Sequence, residues 1–136
     1  MPYWRLFYHV VWATKNRLDL IDPAWENELY GYLRGKATAL ECIPHAIGGM
    51  SDHIHVAISI PPKLAVSTLI GKLKGSSSHH VNERYAHGAF LWQAEYGVSS
   101  FSEKALNSII HYINNQKQHH ADRTLNVTLE EIAAQG

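Results

Sequence analysis

Residues 44–60 read "PHAIGGMSDHIHVAISI", two extended segments that meet at Gly48 and Gly49. In the second segment polar and apolar residues alternate. Successive side chains of a strand point to opposite faces, so His53 and His55 project together while Ile54 and Val56 face the other way. The two glycines suit a turn or bulge between adjacent strands, and Pro61 with Pro62 ends the second one. The fold is built outward from this pair of central strands.

Upstream, residues 3 to 14, "YWRLFYHVVWAT", are aromatic and β-branched and predict a long strand. In the connection "KNRLDLIDP", Asp22 is an N-cap candidate and Pro23 suits the first helical position. A first helix to about Glu41 carries Trp25, Leu29, Tyr32, Leu33 and Leu40 at helical spacing. Downstream, Leu64, Val66, Leu69, Ile70, Leu73 and Val81 predict an amphipathic helix from Lys63 to about Tyr85, weakened by Gly71 and Gly75. A loop and a short strand near Val98 to Phe101 follow. A third helix opens at Ser102 and Glu103 and runs to about His120, with Leu106, Ile109, Ile110 and Ile113 as its buried stripe. In the tail "NVTLEEIAAQG", Thr128 is expected to cap a last helical turn or two. The order strand, helix, strand, strand, helix, strand, helix predicts an α+β, ferredoxin-like βαββαβα fold, an antiparallel sheet with helices on one face. One domain over residues 1–136 is expected, with about 122–136 as a C-terminal tail in which Glu130 and Glu131 could be peripheral.

The chain has 136 residues, 46% of them hydrophobic, enough for one domain with a real core. Twelve basic residues balance twelve acidic ones, so net charge does not announce a nucleic-acid partner, and only local patches can. No segment approaches the roughly 18 apolar residues that span a bilayer, and no signal peptide is evident. Cys42, the single cysteine, has no disulfide partner within the chain and reads as a packed residue. A cytoplasmic setting is the expectation.

Two neutral imidazoles on one strand face can share a divalent metal, although spacing alone leaves open an ordinary hydrogen-bonded polar pair. The third helix offers more donors. Its period places Tyr112 and Gln116, at i and i+4, on one border of the apolar stripe. Gln116 can supply a carboxamide oxygen, and Tyr112 a hydroxyl beside the same ion, though a lone boundary tyrosine more commonly packs its ring. Mg²⁺ or Mn²⁺ held by two imidazoles and an amide oxygen keeps open positions for phosphate oxygens. A tyrosine beside such a site can attack phosphorus to form a covalent phosphotyrosine, which conserves the bond energy for rejoining.

These residues resemble those of the HUH single-tyrosine transposases, the TnpA type of the insertion-sequence 200/605 group and of REP-associated tyrosine transposases. The likeness runs in order through "YHVVWATKNR", "GGMSDHIHVAISIPPK", "LKGSSS", "LWQAEYGVSSFS" and "YINNQKQHH", about residues 3 to 121. The resemblance implies that His53, His55 and Gln116 are metal ligands and Tyr112 the nucleophile, linked to a 5′ phosphate while a 3′ hydroxyl is released. It implies single-stranded DNA with a subterminal hairpin at mobile-element ends as substrate. It also implies a homodimer joined at sheet edges, in which the tyrosine acts in cis or in trans.

Lys72, Lys74, Ser76 and Ser77 suit phosphate contacts, as do Lys15, Asn16 and Arg17 after the first strand, the alternative being a solvated surface. Asp52 is either an acceptor that orients a histidine or a turn residue. His119 and His120 are candidate DNA contacts, and His111 points elsewhere. Two other readings share part of this chemistry: a replication or relaxase-type nickase, and a domesticated relative that binds hairpin DNA without cutting. Brevity argues against the first. The second has no need of His53, His55, Tyr112 and Gln116 together.

Overall fold

Strand-forming residues with alternating polarity place four strands in one sheet, and a computed structural model describes this chain over residues 3–132. The elements in chain order are β1 (Phe7–Ala13), α1 (Glu26–Ala39), β2 (Ile43–Gly49), β3 (His53–Ser59), α2 (Val66–Val81), β4 (Gly97–Phe101), α3 (Leu106–Asn114), α4 (Gln116–Asp122) and α5 (Val127–Glu130). The sheet order is β2-β3-β1-β4, and every pairing is antiparallel. This is the expected ferredoxin-like order, with β3 and β1 in the middle.

The two faces of the sheet carry different loads. Val10, Trp12, Ile54, Val56 and Ile58 pack against Leu29 and Leu33 of α1 and Leu69, Ile70 and Leu73 of α2. On the opposite face Ala46 and Ala57 meet Ile109, Tyr112 and Ile113 of α3 and Leu129 of α5. The expectation of helices on one face therefore holds for α1 and α2 and is corrected for α3 and α5. The reason lies in β3, whose seven residues are all buried, so both of its faces need a cover.

Gly48 sets how closely that second cover sits. A Cβ at this position would stand 2.4 Å from the Ile113 carbonyl oxygen, so the glycine lets α3 lie directly on β2. A β-bulge between Pro44 and Ala46 shifts the register of β2 on β3.

Several boundaries differ from the sequence reading: α1 starts at Glu26 behind Trp25 and not at Pro23 behind Asp22, and α2 spans Val66–Val81. Strand β1 begins at Phe7, and Tyr3 to Leu6 lie outside it. The third helix is not continuous to His120: it breaks at Asn115, whose φ of −115° and ψ of 28° leave the helical region. The Asn115 carboxamide donates to the His111 carbonyl at 2.7 Å, a local bond that competes with the helical ladder. In the tail Asn126, not Thr128, caps α5, its side-chain oxygen accepting from the Leu129 amide at 3.2 Å. The tail is also not peripheral. Leu129 is buried against the sheet, while residues 133–136 lie outside the described chain. Among the described residues no helix is long and apolar enough to cross a membrane.

Candidate metal and tyrosine site

The alternation of β3 puts His53 and His55 on the face covered by α3 and α5, and both rings are almost wholly buried. Each is oriented through its Nδ1. His53 Nδ1 donates to Asp52 Oδ1 at 2.6 Å, and Arg17 Nε stands 3.4 Å from the other Asp52 oxygen. His55 Nδ1 pairs with Nε2 of His9 at 2.8 Å. His9 lies opposite Ala57 and Val11 opposite His55, which makes His9 the diagonal same-face neighbour of His55. Both Nε2 atoms are thereby turned into one chamber, the arrangement expected of outer partners that orient metal-ligating histidines.

The chamber is lined by the helices beyond. Gln116 Oε1 lies 3.4 Å from His53 Nε2 and 3.1 Å from His120 Nε2. The Tyr112 ring stands edge-on to the His55 imidazole, with centroids 5.9 Å apart, and its other side packs on His119 at 4.7 Å. Tyr112 and Gln116 both line the chamber, one on each side of the helix break at Asn115. The tyrosine hydroxyl accepts from the Asn126 amide at 3.0 Å and donates to Glu130 Oε2.

Glu130 is the residue that sequence reasoning missed. Its Oε1 lies 3.2 Å from His53 Nε2 and 3.6 Å from His120 Nε2, and its Oε2 lies 3.0 Å from His55 Nε2. His53, His120 and Glu130 have ligand atoms within 4.8 Å of one another. His120, a candidate DNA contact in the sequence, faces this chamber. His9 was also missed, because "YHVVW" reads as an ordinary apolar strand. The one available signal for Glu130 was an acidic pair at the end of a short apolar-capped segment, which is commonplace.

The electrostatics follow from burial and this crowding. Burial opposes the charged form of His53, but the Glu130 and Asp52 carboxylates outweigh it and raise its pKa. Burial lowers that of His55, with Glu130 only partly opposing. Burial, helped by the His55 charge, pushes His9 down to about 3. Burial works to raise Glu130, but His53, His55 and Tyr112 hold its carboxyl far below the usual carboxylate range. Burial and then Glu130 raise the Tyr112 phenol.

The donor set fits a hard divalent cation. His55 Nε2 is fully buried and lies 3.0 Å from Glu130 Oε2 without hydrogen-bond alignment, so a poorly satisfied nitrogen and a carboxylate face one chamber.

The expected phosphate donors are scattered. Lys15 and Arg17 are exposed on the turn beside Asp52, at the rim of the chamber. Lys72 is exposed on α2, which packs on the opposite face of the sheet. Ser76 donates to the Lys72 carbonyl at 2.6 Å. Two residues correct the expectation of a free phosphate-binding surface. Lys74 gives its ammonium to the carbonyls of Gln93, Ala94 and Glu95, and Ser77 is buried, accepting from the Trp92 indole at 3.0 Å. Both secure the loop that leads into β4.

Comparison with known proteins agrees with this architecture. The sequence profile described as "Transposase IS200 like" matches residues 2–116. The chain is 29% identical over 121 residues to the ISDra2 transposase TnpA of Deinococcus radiodurans, covering 83% of this chain and 85% of that protein. It is 30% identical over 97 residues to the transposase for insertion sequence element IS200 of Salmonella typhimurium, covering 66% of this chain and 59% of that one. A crystal structure of a Deinococcus radiodurans R1 protein described as a transposase superposes with a TM-score of 0.69 at 28% identity, covering 85% and 95% of the two chains. A REP-associated tyrosine transposase bound to a REP hairpin shares the fold, with a TM-score of 0.67 at 14% identity over 88% and 74%. The match over most of the chain, together with the shared fold, establishes that this protein belongs to the IS200-like transposase family.

Proposed function

We propose that this transposase cuts and rejoins single-stranded DNA at the ends of a mobile element through a covalent link between Tyr112 and a 5′ phosphate. The observation that carries the reading is the placement of the Tyr112 ring against His55, with Gln116 Oε1 within 3.4 Å of His53 Nε2. A nickase or a pure DNA-binding module has no comparable support from the relatives, which are transposases.

His53, His55 and Gln116 would hold Mg²⁺ or Mn²⁺, which when bound polarises the phosphate and neutralises charge that develops on its oxygens. The rest of the chemistry belongs to the chain. Asp52 and His9 fix the ring planes of the two histidines through their Nδ1 atoms. Tyr112 is held by the Asn126 amide, so its oxygen has a set position before the substrate arrives. Attack by the Tyr112 phenol transfers its proton away as the bond to phosphorus forms. The Tyr112 oxygen bonds to phosphorus as the bond from phosphorus to the 3′ oxygen breaks, and that oxygen takes up a proton to leave as a hydroxyl. Attack by a 3′ hydroxyl on the phosphotyrosine reverses the step and reseals a strand.

The structural relative is bound to a hairpin, which supports a hairpin inside each element end as the recognised feature here. Lys15 and Arg17, at the rim, are the cations best placed to meet the backbone of the strand being cut. A homodimer is part of the same proposal: β4 is an edge strand whose Val98 is 43% exposed, a surface that edge pairing would cover.

A labelled single-stranded oligonucleotide carrying an element end, incubated with the protein and Mn²⁺, tests the reading. Wild type should give a protein–DNA adduct that survives denaturation, and Tyr112→Phe should give none while still binding the hairpin. A reading as a pure binding module would be supported by strong hairpin binding with no adduct under any metal.

A further inference from the structure

We infer that Glu130, on the tail helix α5, is a ligand of the divalent cation in the resting site, so that the metal centre is completed by a segment beyond the residues that the family profile matches. The inference rests on the proposed metal site and deepens it.

Glu130 approaches the chamber from the side opposite β3, and its two oxygens reach His53 Nε2 and His55 Nε2 at 3.2 and 3.0 Å. The second contact is the informative one. His55 is fully buried, its Nδ1 is occupied by His9, and its Nε2 stands 3.0 Å from the carboxylate without the alignment of a hydrogen bond. A neutral His55 that gives its Nδ1–H to His9 turns an Nε2 lone pair toward the carboxylate, and a lone pair and a carboxylate oxygen facing each other in a buried site repel. A cation between them turns both into ligands. Two imidazoles, a carboxamide oxygen and a carboxylate form a donor set suited to Mn²⁺ or Mg²⁺, with the carboxylate adding the negative charge that the other three lack.

The chain also builds a seat for the tail. A Cβ on Gly97 of β4 would stand 1.9 Å from the Glu131 carbonyl oxygen, so only glycine lets the backbone next to Glu130 settle there. Leu129 is buried on the same face of the sheet, and the Asn126 side chain caps the turn. The family match ends at residue 116, so Asn126, Leu129 and Glu130 lie beyond the matched residues while their seat, Gly97, lies within them.

Calorimetric titration of the full chain with Mn²⁺ tests the inference, with no DNA present. Glu130→Ala should weaken Mn²⁺ binding by about tenfold or more. Gly97→Ala, which keeps every ligand but unseats the tail, should weaken it in the same direction. Hairpin binding and the thermal transition show whether each variant is folded. Affinity that is unchanged or increased in folded Glu130→Ala overturns the inference, an increase meaning that the carboxylate excludes the cation. The outcome is separable from the proposed function. If wild type binds Mn²⁺ and forms no Tyr112 adduct, the nucleophile assignment fails and the ligand assignment stands; if the adduct forms and Glu130→Ala leaves Mn²⁺ affinity intact, the reverse holds.

Discussion

The two histidines of β3 act through what holds them. His53 leans on Asp52 and His55 on His9, and each bond frees an Nε2 for the chamber. Replacing His9 with Phe keeps a ring in the core but removes the partner of His55 Nδ1. We predict a loss of about tenfold in Mn²⁺ affinity with hairpin binding unchanged, read by calorimetry and gel shift. His9 also predicts a pH effect on stability. Its pKa is lowered from 6.5 to about 3 in the fold, so in that window the unfolded chain carries a proton that the native chain does not. Stability contributed by neutral His9 is therefore present above 6.5 and declines as pH falls towards 3. Urea titrations should show a shallower acid decline for His9→Phe than for wild type, and equal slopes would contradict the assignment. At this scale the site was half legible. His53 and His55 declare themselves because a period of two is visible in one strand. Their partner His9 is fixed by the register between β1 and β3, which no single strand encodes.

At the level of elements, the site depends on how α3, α4 and α5 rest on the sheet. Gly48 is the contact point for α3, since a side chain there would collide with the Ile113 carbonyl. Gly48→Ala should cost about 1–3 kcal/mol in urea unfolding, the range typical of forced overpacking, and should lower adduct yield by displacing Tyr112. An unchanged midpoint would show that α3 is free to shift. The amphipathic pattern of residues 106–120 was clear enough to predict a helix, yet its break at Asn115 was invisible because the hydrophobic period carries no trace of a local side-chain bond. Gln116 reaches His53 all the same. Helix α5 was foreseen as a turn or two, but four residues with one buried apolar side chain give no sign of where they dock. Its seat at Gly97 lies far away in sequence.

Across the whole molecule the sheet separates two tasks. One face carries α1, α2 and the large core around Trp12, Ile54 and Ile58; the other carries the imidazoles, the tyrosine and the tail. The order of elements predicted this sheet correctly, because alternating strands and helical stripes are long enough to read. The second cover was not predicted, since two-helix cover on one face already satisfies the ferredoxin-like pattern. Oligomeric state belongs to this scale. The open edge of β4, with Val98 exposed, leads us to expect a molar mass of twice the chain in light scattering and a shift towards monomer in Val98→Lys. A single-chain mass at every concentration would contradict the edge-paired dimer. The most direct test of the central claim is peptide mapping by mass spectrometry of the adduct formed with a single-stranded element end and Mn²⁺. The nucleotide mass is expected on Tyr112 through a 5′ phosphate; a nucleotide on any other residue, or an adduct that persists in Tyr112→Phe, rules out Tyr112 as the nucleophile.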